Sequence, residues 1–203
     1  MTVSANSPVE RSASERSRSR TCVIALIGVA VIVVIVDQIA KAWAVRTMLP
    51  RMSAGGDGPI EIIGNFLKLT YVENTGAAFG LGSGLTVVFS LIALGVVIAI
   101  LRMAPRLGSL PWAIALGGLL GGAVGNLVDR LTREPGPGRG YVVDFIELPY
   151  WPVFNVADMF VVGSAILMVV LSIRGIDYRG QANAEPASSE PDEPIEPSSP
   201  ESR

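Results

Sequence analysis

The chain has 203 residues, of which half are apolar and only 17% are charged, and its mean hydropathy is +0.49. In soluble domains about a quarter of the residues are charged. The lower charged fraction and the high mean hydropathy of this chain indicate a membrane protein. Histidine is absent and Cys22 is the single cysteine. Catalysis by histidine, a metal site built on histidine or a cysteine cluster, and an intrachain disulfide are therefore excluded. The net charge of −2, with scattered basic residues, argues against nucleic acid as a partner.

Four apolar runs are predicted to be transmembrane helices. They cover about residues 21–45, 85–101, 110–128 and 154–173. Each approaches the ~20 residues that a helix needs to cross a hydrocarbon core of roughly 30 Å, and none alternates as a strand would. We therefore predict an all-α membrane protein with four transmembrane helices.

The segments outside these helices are polar or form turns. Residues 1–20 are rich in Ser and Arg, and residues 176–203 are acidic and rich in Pro. Both are predicted to be disordered cytoplasmic tails. In the first outer loop, PIEIIGNFLKLTYV (59–72) has two β-prone runs around a Gly-Asn pair, which predicts a small hairpin on the membrane surface. The second outer loop, residues 129–153, combines a flexible EPGPGRG segment with the amphipathic YVVDFIELPYW.

The distribution of basic residues predicts the orientation in the membrane. Eight arginines lie at the end of the helices that carries both chain termini, and six basic residues lie at the other end. The positive-inside rule assigns the first end, and both termini, to the cytoplasm. The eight are Arg11, Arg16, Arg18, Arg20, Arg102, Arg106, Arg174 and Arg179.

Ionisable and amide side chains in or beside the apolar runs indicate a functional site, because burying such groups without a partner is costly. All of them fall on the predicted outer side. Simple structural roles are also open for each: an ion pair on one helix face, an interfacial anchor, or a partner of a helix dipole. The residues are Asp37 and Lys41 in the first helix, Asn126, Asp129 and Arg130 at the end of the third, Asp144 in the second outer loop, and Asn155 and Asp158 at the start of the fourth.

Asp144 and Asp158 are the best candidates for chemistry. They are 14 residues apart on a short connection that returns the chain to the same interface, so the two carboxyl groups can meet. Two adjacent carboxyl groups do not both ionise readily, so one stays protonated and the other is charged. This is the chemistry of aspartic proteolysis, in which the charged group takes a proton from water and the neutral group binds the scissile carbonyl.

Two other classes of protein remain open from the residues alone. Intramembrane acids also occur in small transporters and proton relays, although no inverted repeat or interrupted helix is visible here. The third helix could instead mediate assembly, because its glycines have overlapping small-xxx-small spacings that predict close helix packing. These glycines are Gly117, Gly118, Gly121, Gly122 and Gly125.

Five motifs, in this order along the chain, resemble those of the lipoprotein signal peptidases, also called signal peptidase II. The resemblance spans roughly residues 30 to 170. The motifs are DQIAK (37–41), NTGAAFG (74–80), GGAVGNLVDR (121–130), VVDFIEL (142–148) and FNVADMF (154–160).

The resemblance implies an aspartic endopeptidase of the bacterial inner membrane. Such an enzyme removes the signal peptide from prolipoproteins that carry a diacylglyceryl group, cutting before the lipidated cysteine, so its partners are that substrate and membrane lipid. It also implies that no metal or organic cofactor is used, and that the first outer loop forms a β-cradle. Met159 departs from the family, which often has Ser there. By resemblance the catalytic residues are Asp144 and Asp158, and the supporting residues are Asn74, Asn126, Asp129, Arg130, Asn155 and Asp37.

Overall fold

Four long helices form the body of the protein in the computed structural model, which describes residues 8–76 and 84–180. They are α1 (Pro8–Met52), α2 (Gly84–Met103), α3 (Leu110–Thr132) and α4 (Val156–Ile173). Each is long and apolar enough to cross a membrane. The prediction of a multi-pass, mainly helical membrane protein is therefore confirmed.

The first helix is longer than the predicted span of 21–45. It begins at Pro8 and ends at Met52, so the polar residues 8–20, predicted to be tail, are helical. Proline is favoured in the first turn of a helix and disruptive further in, and no proline lies between Pro8 and Pro50. Nothing in this stretch therefore stops the helix at the edge of its apolar part.

Part of the predicted C-terminal tail also packs on the helices. Residues 176–180 are described, and the Tyr178 carbonyl accepts hydrogen bonds from the backbone N–H groups of Gly108 and Ser109, at 3.0 and 3.2 Å. These contacts hold the chain after α4 against the connection between α2 and α3. The remaining predicted tail segments, residues 1–7 and 181–203, lie outside the described residues, as do residues 77–80 of the NTGAAFG motif.

The outward faces of the helices are strongly apolar. Ile24 on α1 is 72% exposed, Leu91 on α2 is 62% exposed and Ile166 on α4 is 60% exposed. Apolar surface of this extent is not stable in water and matches contact with lipid.

Glycines on α3 allow its neighbours to approach closely. A Cβ atom at Gly121 would lie 2.6 Å from the Val33 Cβ of α1, and one at Gly122 would lie 2.5 Å from the Ala157 carbonyl oxygen of α4. No real side chain fits at such distances, so glycine is required at both positions. The close packing predicted for these glycines is therefore present, and it places α3 between α1 and α4.

A three-stranded antiparallel sheet lies at one end of the helices. Its strands are β1 (Ile60–Ile63), β2 (Leu67–Asn74) and β3 (Val142–Glu147), in the order β1-β2-β3. The turn between β1 and β2 contains Gly64 with a φ of +46°, a conformation that glycine adopts without strain. The antiparallel pair predicted within residues 59–72 is thus formed, whereas β3, from the second loop, is an addition that the sequence pattern did not predict.

Backbone hydrogen bonds hold β3 next to the start of α4, and an apolar cluster holds the sheet against α1. The Phe154 carbonyl accepts hydrogen bonds from the backbone N–H groups of Phe145 and Ile146, at 3.1 and 2.9 Å. The sheet in turn packs on the last third of α1 through a buried apolar cluster that includes Met48 and Val143. As a result, the polar residues of α1, α3, α4, β2 and β3 converge at one end of the bundle.

Candidate active site

Asp144 lies in β3 with its side chain almost fully buried, at 1% exposure. Both carboxyl oxygens are hydrogen-bonded: Asn74 Nδ2 donates to Oδ2 at 2.8 Å, and Asn155 Nδ2 donates to Oδ1 at 2.6 Å. The pairing of β2 with β3 sets Asn74 opposite Val142, beside Asp144 on the neighbouring strand. The register of the two strands therefore determines the hydrogen bond from Asn74 to Asp144.

Burial raises the pKa of Asp144 to about 7, because the buried carboxylate loses its hydration. The hydrogen bond from Asn74 opposes this rise in pKa, and the negative charge of Asp158 adds to it. Asp144 is therefore protonated in a large fraction of molecules at neutral pH, unlike an ordinary aspartate.

Asp158 lies in the first turn of α4, where Asn155 is the N-cap residue. The Asn155 side chain accepts a hydrogen bond from the Asp158 N–H at 3.0 Å, and the Asp158 carboxylate accepts one from the Asn155 N–H at 3.3 Å. This reciprocal capping box starts the helix and fixes the position of Asp158. Asn126 Nδ2 on α3 donates a further hydrogen bond to Asp158 Oδ1 at 2.8 Å.

Asn155 connects the two aspartates. It is fully buried, donates to Asp144, and caps the helix turn that carries Asp158. Its Nδ2 also donates to Asn126 Oδ1 at 3.1 Å. The structure thus brings Asp144, Asp158 and three of the predicted asparagines into one hydrogen-bonded cluster, although these residues come from four different elements.

A buried ion network lies behind this cluster. Lys41 Nζ is 2.8 Å from Asp37 Oδ2 and 3.0 Å from Asp129 Oδ2, and all three side chains are at most 1% exposed. The same ammonium donates to Asn126 Oδ1 at 2.9 Å. The ion pair of Asp37 and Lys41, which the i,i+4 spacing allows, is therefore one part of a larger network.

The two carboxylates of the network also hold backbone. Asp37 Oδ1 accepts a hydrogen bond from the Ala157 N–H at 2.9 Å, and Asp129 Oδ2 accepts one from the Val143 N–H at 3.2 Å. Each of these backbone groups belongs to the residue next to a candidate catalytic aspartate. Asp37 and Asp129 are therefore hydrogen-bonded to the backbone beside Asp158 and Asp144, respectively.

Arg130 occupies a different place from the other supporting residues. Its Nη1 donates to the Asn126 carbonyl at 3.4 Å, and its guanidinium carbon lies 6.0 Å from the centre of the Phe89 ring. Its Nε is buried and has no hydrogen-bond partner within the described part of the chain. A buried donor of this kind is available to an acceptor that enters the site.

Two further residues complete the network and were not among the predicted site residues. Arg133 Nε forms an ion pair with Asp129 Oδ1 at 3.0 Å, and Gln38 Nε2 donates to Asp37 Oδ2 at 3.2 Å and to the Gly125 carbonyl at 3.1 Å. The i,i+4 spacing of Asp129 and Arg133 was a visible signal for the first. The role of Gln38 had no such signal.

A cavity of about 430 Å³ opens onto Asp144 beside the sheet. Within residues 16–76 and 86–180, no group of three or more His, Cys, Asp or Glu side chains is arranged to hold a metal ion. The cavity is lined by Val72, Glu73, Asn74, Thr75, Asp144, Pro152 and Val153.

These features define a class: a multi-pass membrane protein with two carboxyl groups at one end of its helices, one buried and one half-buried, each hydrogen-bonded to an asparagine side chain. Residues 29–174 match the family model described as signal peptidase (SPase) II. The chain belongs to this family, and it is a peptidase.

Two named relatives and one solved structure are similar to this chain and agree with its assignment to this family. The lipoprotein signal peptidase of Mycobacterium tuberculosis is 52% identical over 153 residues, which cover 75% of this chain and 73% of that protein. The lipoprotein signal peptidase of Streptomyces coelicolor is 46% identical over 168 residues, which cover 83% and 79%. A bacterial membrane enzyme solved by the in meso method at 1.9 Å resolution superposes with a TM-score of 0.62 at 33% identity, covering 73% of this chain and 92% of that one.

Proposed function

We propose that this peptidase removes signal peptides from diacylglyceryl-modified prolipoproteins, cutting before the lipidated cysteine, with Asp144 and Asp158 as its catalytic pair. The observation that carries the proposal is the hydrogen-bonded cluster in which the buried Asn155 donates to Asp144 and caps the helix turn of Asp158. The names of the mycobacterial and Streptomyces relatives support the substrate class.

In the proposed reaction, Asp144 is protonated and Asp158 is charged before cleavage. The pKa of about 7 at Asp144 supports this assignment. Asp158 takes a proton from water, and the hydroxide formed attacks the scissile carbonyl carbon while the Asp144 proton is hydrogen-bonded to the carbonyl oxygen. The C–N bond of the tetrahedral intermediate then breaks as Asp158 gives the proton it took from water to the leaving amine. Asp144 keeps its proton as the carbonyl re-forms in the new carboxyl group, so both aspartates return to their starting states.

The supporting residues have three roles in this proposal. Asn74, Asn126 and Asn155 orient the aspartates through the hydrogen bonds described above. Arg130 donates to the substrate backbone, because its buried Nε has no partner among the described residues. Asp37 and Asp129 position the strand and the helix that carry the pair.

The proposed topology has both termini in the cytoplasm and the aspartates at the outer face of the bacterial inner membrane. The excess of arginine at the end that carries the termini supports it. The scissile bond of a prolipoprotein lies beside a cysteine whose acyl chains are in the outer leaflet. A site at that interface, with the β1–β2 hairpin on the membrane surface, therefore meets the bond without moving the acyl chains into water.

The test is cleavage of a diacylglyceryl prolipoprotein peptide, followed by mass spectrometry. Asp144→Asn and Asp158→Asn are expected to lower kcat by about 10²–10⁴-fold, because each loses its proton-transfer group. Asp57→Asn, on a side chain that is 79% exposed, is the matched control and should cleave normally. Normal cleavage by either site variant would refute the proposed catalytic pair. Cleavage at a bond other than the one before the lipidated cysteine would refute the proposed substrate specificity.

A further inference from the structure

A second cavity, of about 1160 Å³, lies at the opposite end of the bundle from Asp144. It is formed by the first part of α1, the connection between α2 and α3, and the residues that follow α4. Five of its lining residues are arginines from three separate segments: Arg16, Arg18, Arg20, Arg106 and Arg179. We refer to it as the basic cavity.

The walls of the basic cavity are held together by hydrogen bonds. Ser19 Oγ on α1 donates to the Pro105 carbonyl at 2.8 Å. Trp112 Nε1 on α3 donates to the Ile176 carbonyl at 2.7 Å, which ties the segment after α4 to the bundle. The three segments that carry the arginines are therefore joined to the rest of the bundle by hydrogen bonds.

Three of these arginines are not neutralised by an ion pair within the part of the chain whose side chains are described. Among residues 16–76 and 86–180, no carboxylate forms an ion pair with Arg18, Arg20 or Arg106. Asp177 lines an adjoining cavity, where its Oδ2 accepts from the Arg179 N–H at 3.3 Å. Guanidinium groups without carboxylate partners are suited to bind a phosphate.

The floor of the cavity is apolar and leads to the lipid-facing surface. Val23, Ile24 and Leu107 line it, and Ile24 is 72% exposed on the outward face of α1. A ligand that fills this cavity therefore meets arginines at the rim and hydrocarbon below, which is the arrangement of charges and apolar groups in a phospholipid.

We propose that the basic cavity binds the phosphate headgroup of an anionic phospholipid, in the leaflet opposite to the carboxylate cluster. Arg20 and Asp37 are 17 residues apart on α1, which is about 26 Å at 1.5 Å per residue, close to the thickness of the hydrocarbon core. The acidic residues 181–203 follow Gly180 at the cavity rim and are the competing occupant. The lipid is favoured because the floor is apolar, whereas that segment has a single large apolar residue, Ile195.

The test uses the full-length protein in detergent and native mass spectrometry with dioleoylphosphatidylglycerol or dioleoylphosphatidylcholine as the probe. The full-length protein is expected to retain the anionic lipid over the zwitterionic one, and Arg18→Gln/Arg20→Gln/Arg106→Gln to lose at least about tenfold of that preference. The matched control has the same charge change on exposed arginines outside the cavity. It is Arg46→Gln/Arg102→Gln/Arg139→Gln, and its lipid preference should be unchanged.

Four results would overturn the proposal. Equal retention of the two lipids would mean that no anionic site exists, and an equal loss in the control variant would mean diffuse attraction to charge. Competition by free glycerol phosphate at the same concentration as the lipid would identify a soluble phosphate as the ligand. Retention of the anionic lipid only after deletion of residues 181–203 would identify the acidic segment as the occupant of the full chain.

Discussion

Removal of the Asn74 side chain is expected to shift the pH dependence of cleavage upward. Asn74 Nδ2 donates to Asp144 Oδ2 at 2.8 Å, and this hydrogen bond lowers the pKa of Asp144 against the effect of burial. In Asn74→Ala the charged form of Asp144 loses a donor, so its pKa rises above about 7.

The size of the shift follows from the energy of the lost bond. A hydrogen bond to an ionised group contributes about 1.5–3 kcal/mol, and one pKa unit corresponds to about 1.4 kcal/mol, so the shift is about 1–2 units. The proposed reaction needs Asp144 protonated, so kcat/KM falls as the pH rises through this pKa. The alkaline limb of the profile should therefore move from about pH 7 to about pH 8–9 in the variant.

The assay is kcat/KM for a lipidated prolipoprotein peptide between about pH 5 and pH 9.5, a range that covers both positions of the limb. Asn74 also lines the cavity at Asp144, so the maximum rate is expected to drop, and only the position of the limb is diagnostic. Asn65→Ala, on an exposed residue of the β1–β2 turn, is the control and should leave the limb in place. A limb that stays fixed or moves downward in Asn74→Ala would refute the assignment of Asp144 as the protonated partner.

Two further predictions concern the framework behind the site, and both are measured as the free energy of unfolding in detergent. Lys41→Met should lower it by about 3–5 kcal/mol, because Asp37 and Asp129 lose a buried counter-ion. Adding Asp37→Asn should restore part of the loss. A loss below about 1 kcal/mol, which is typical of exposed ion pairs, would contradict the buried network. Gly125→Ala should cost about 1–3 kcal/mol, because its Cβ would lie 2.7 Å from Asp37 Oδ2. Gly163→Ala, with nothing within 4 Å of its Cβ, is the control, and an equal cost at both glycines would exclude the proposed clash.

The helices and the close approach of α3 to its neighbours could be predicted from the sequence. A membrane span depends on the length and hydropathy of one segment, because lipid requires each segment to satisfy its own backbone hydrogen bonds. The four-residue spacings of Gly117, Gly121 and Gly125, and of Gly118 and Gly122, similarly indicated close packing without reference to a partner. The short connection between Asp144 and Asp158 also predicted that the two residues can meet, and both lie in one hydrogen-bonded cluster.

The arrangement around that pair was decided by tertiary structure alone. The contact between Asp37 and the Ala157 N–H joins residues 120 positions apart, and Lys41 reaches Asn126 across 85. Local patterns report which face a residue occupies on its own element, but they carry no information about which distant backbone group will lie opposite it. Tertiary structure also determines the position of β3 beside β2, because strand register is set only when the two segments meet. The hydrogen bond from Asn74 to Asp144 depends on that register.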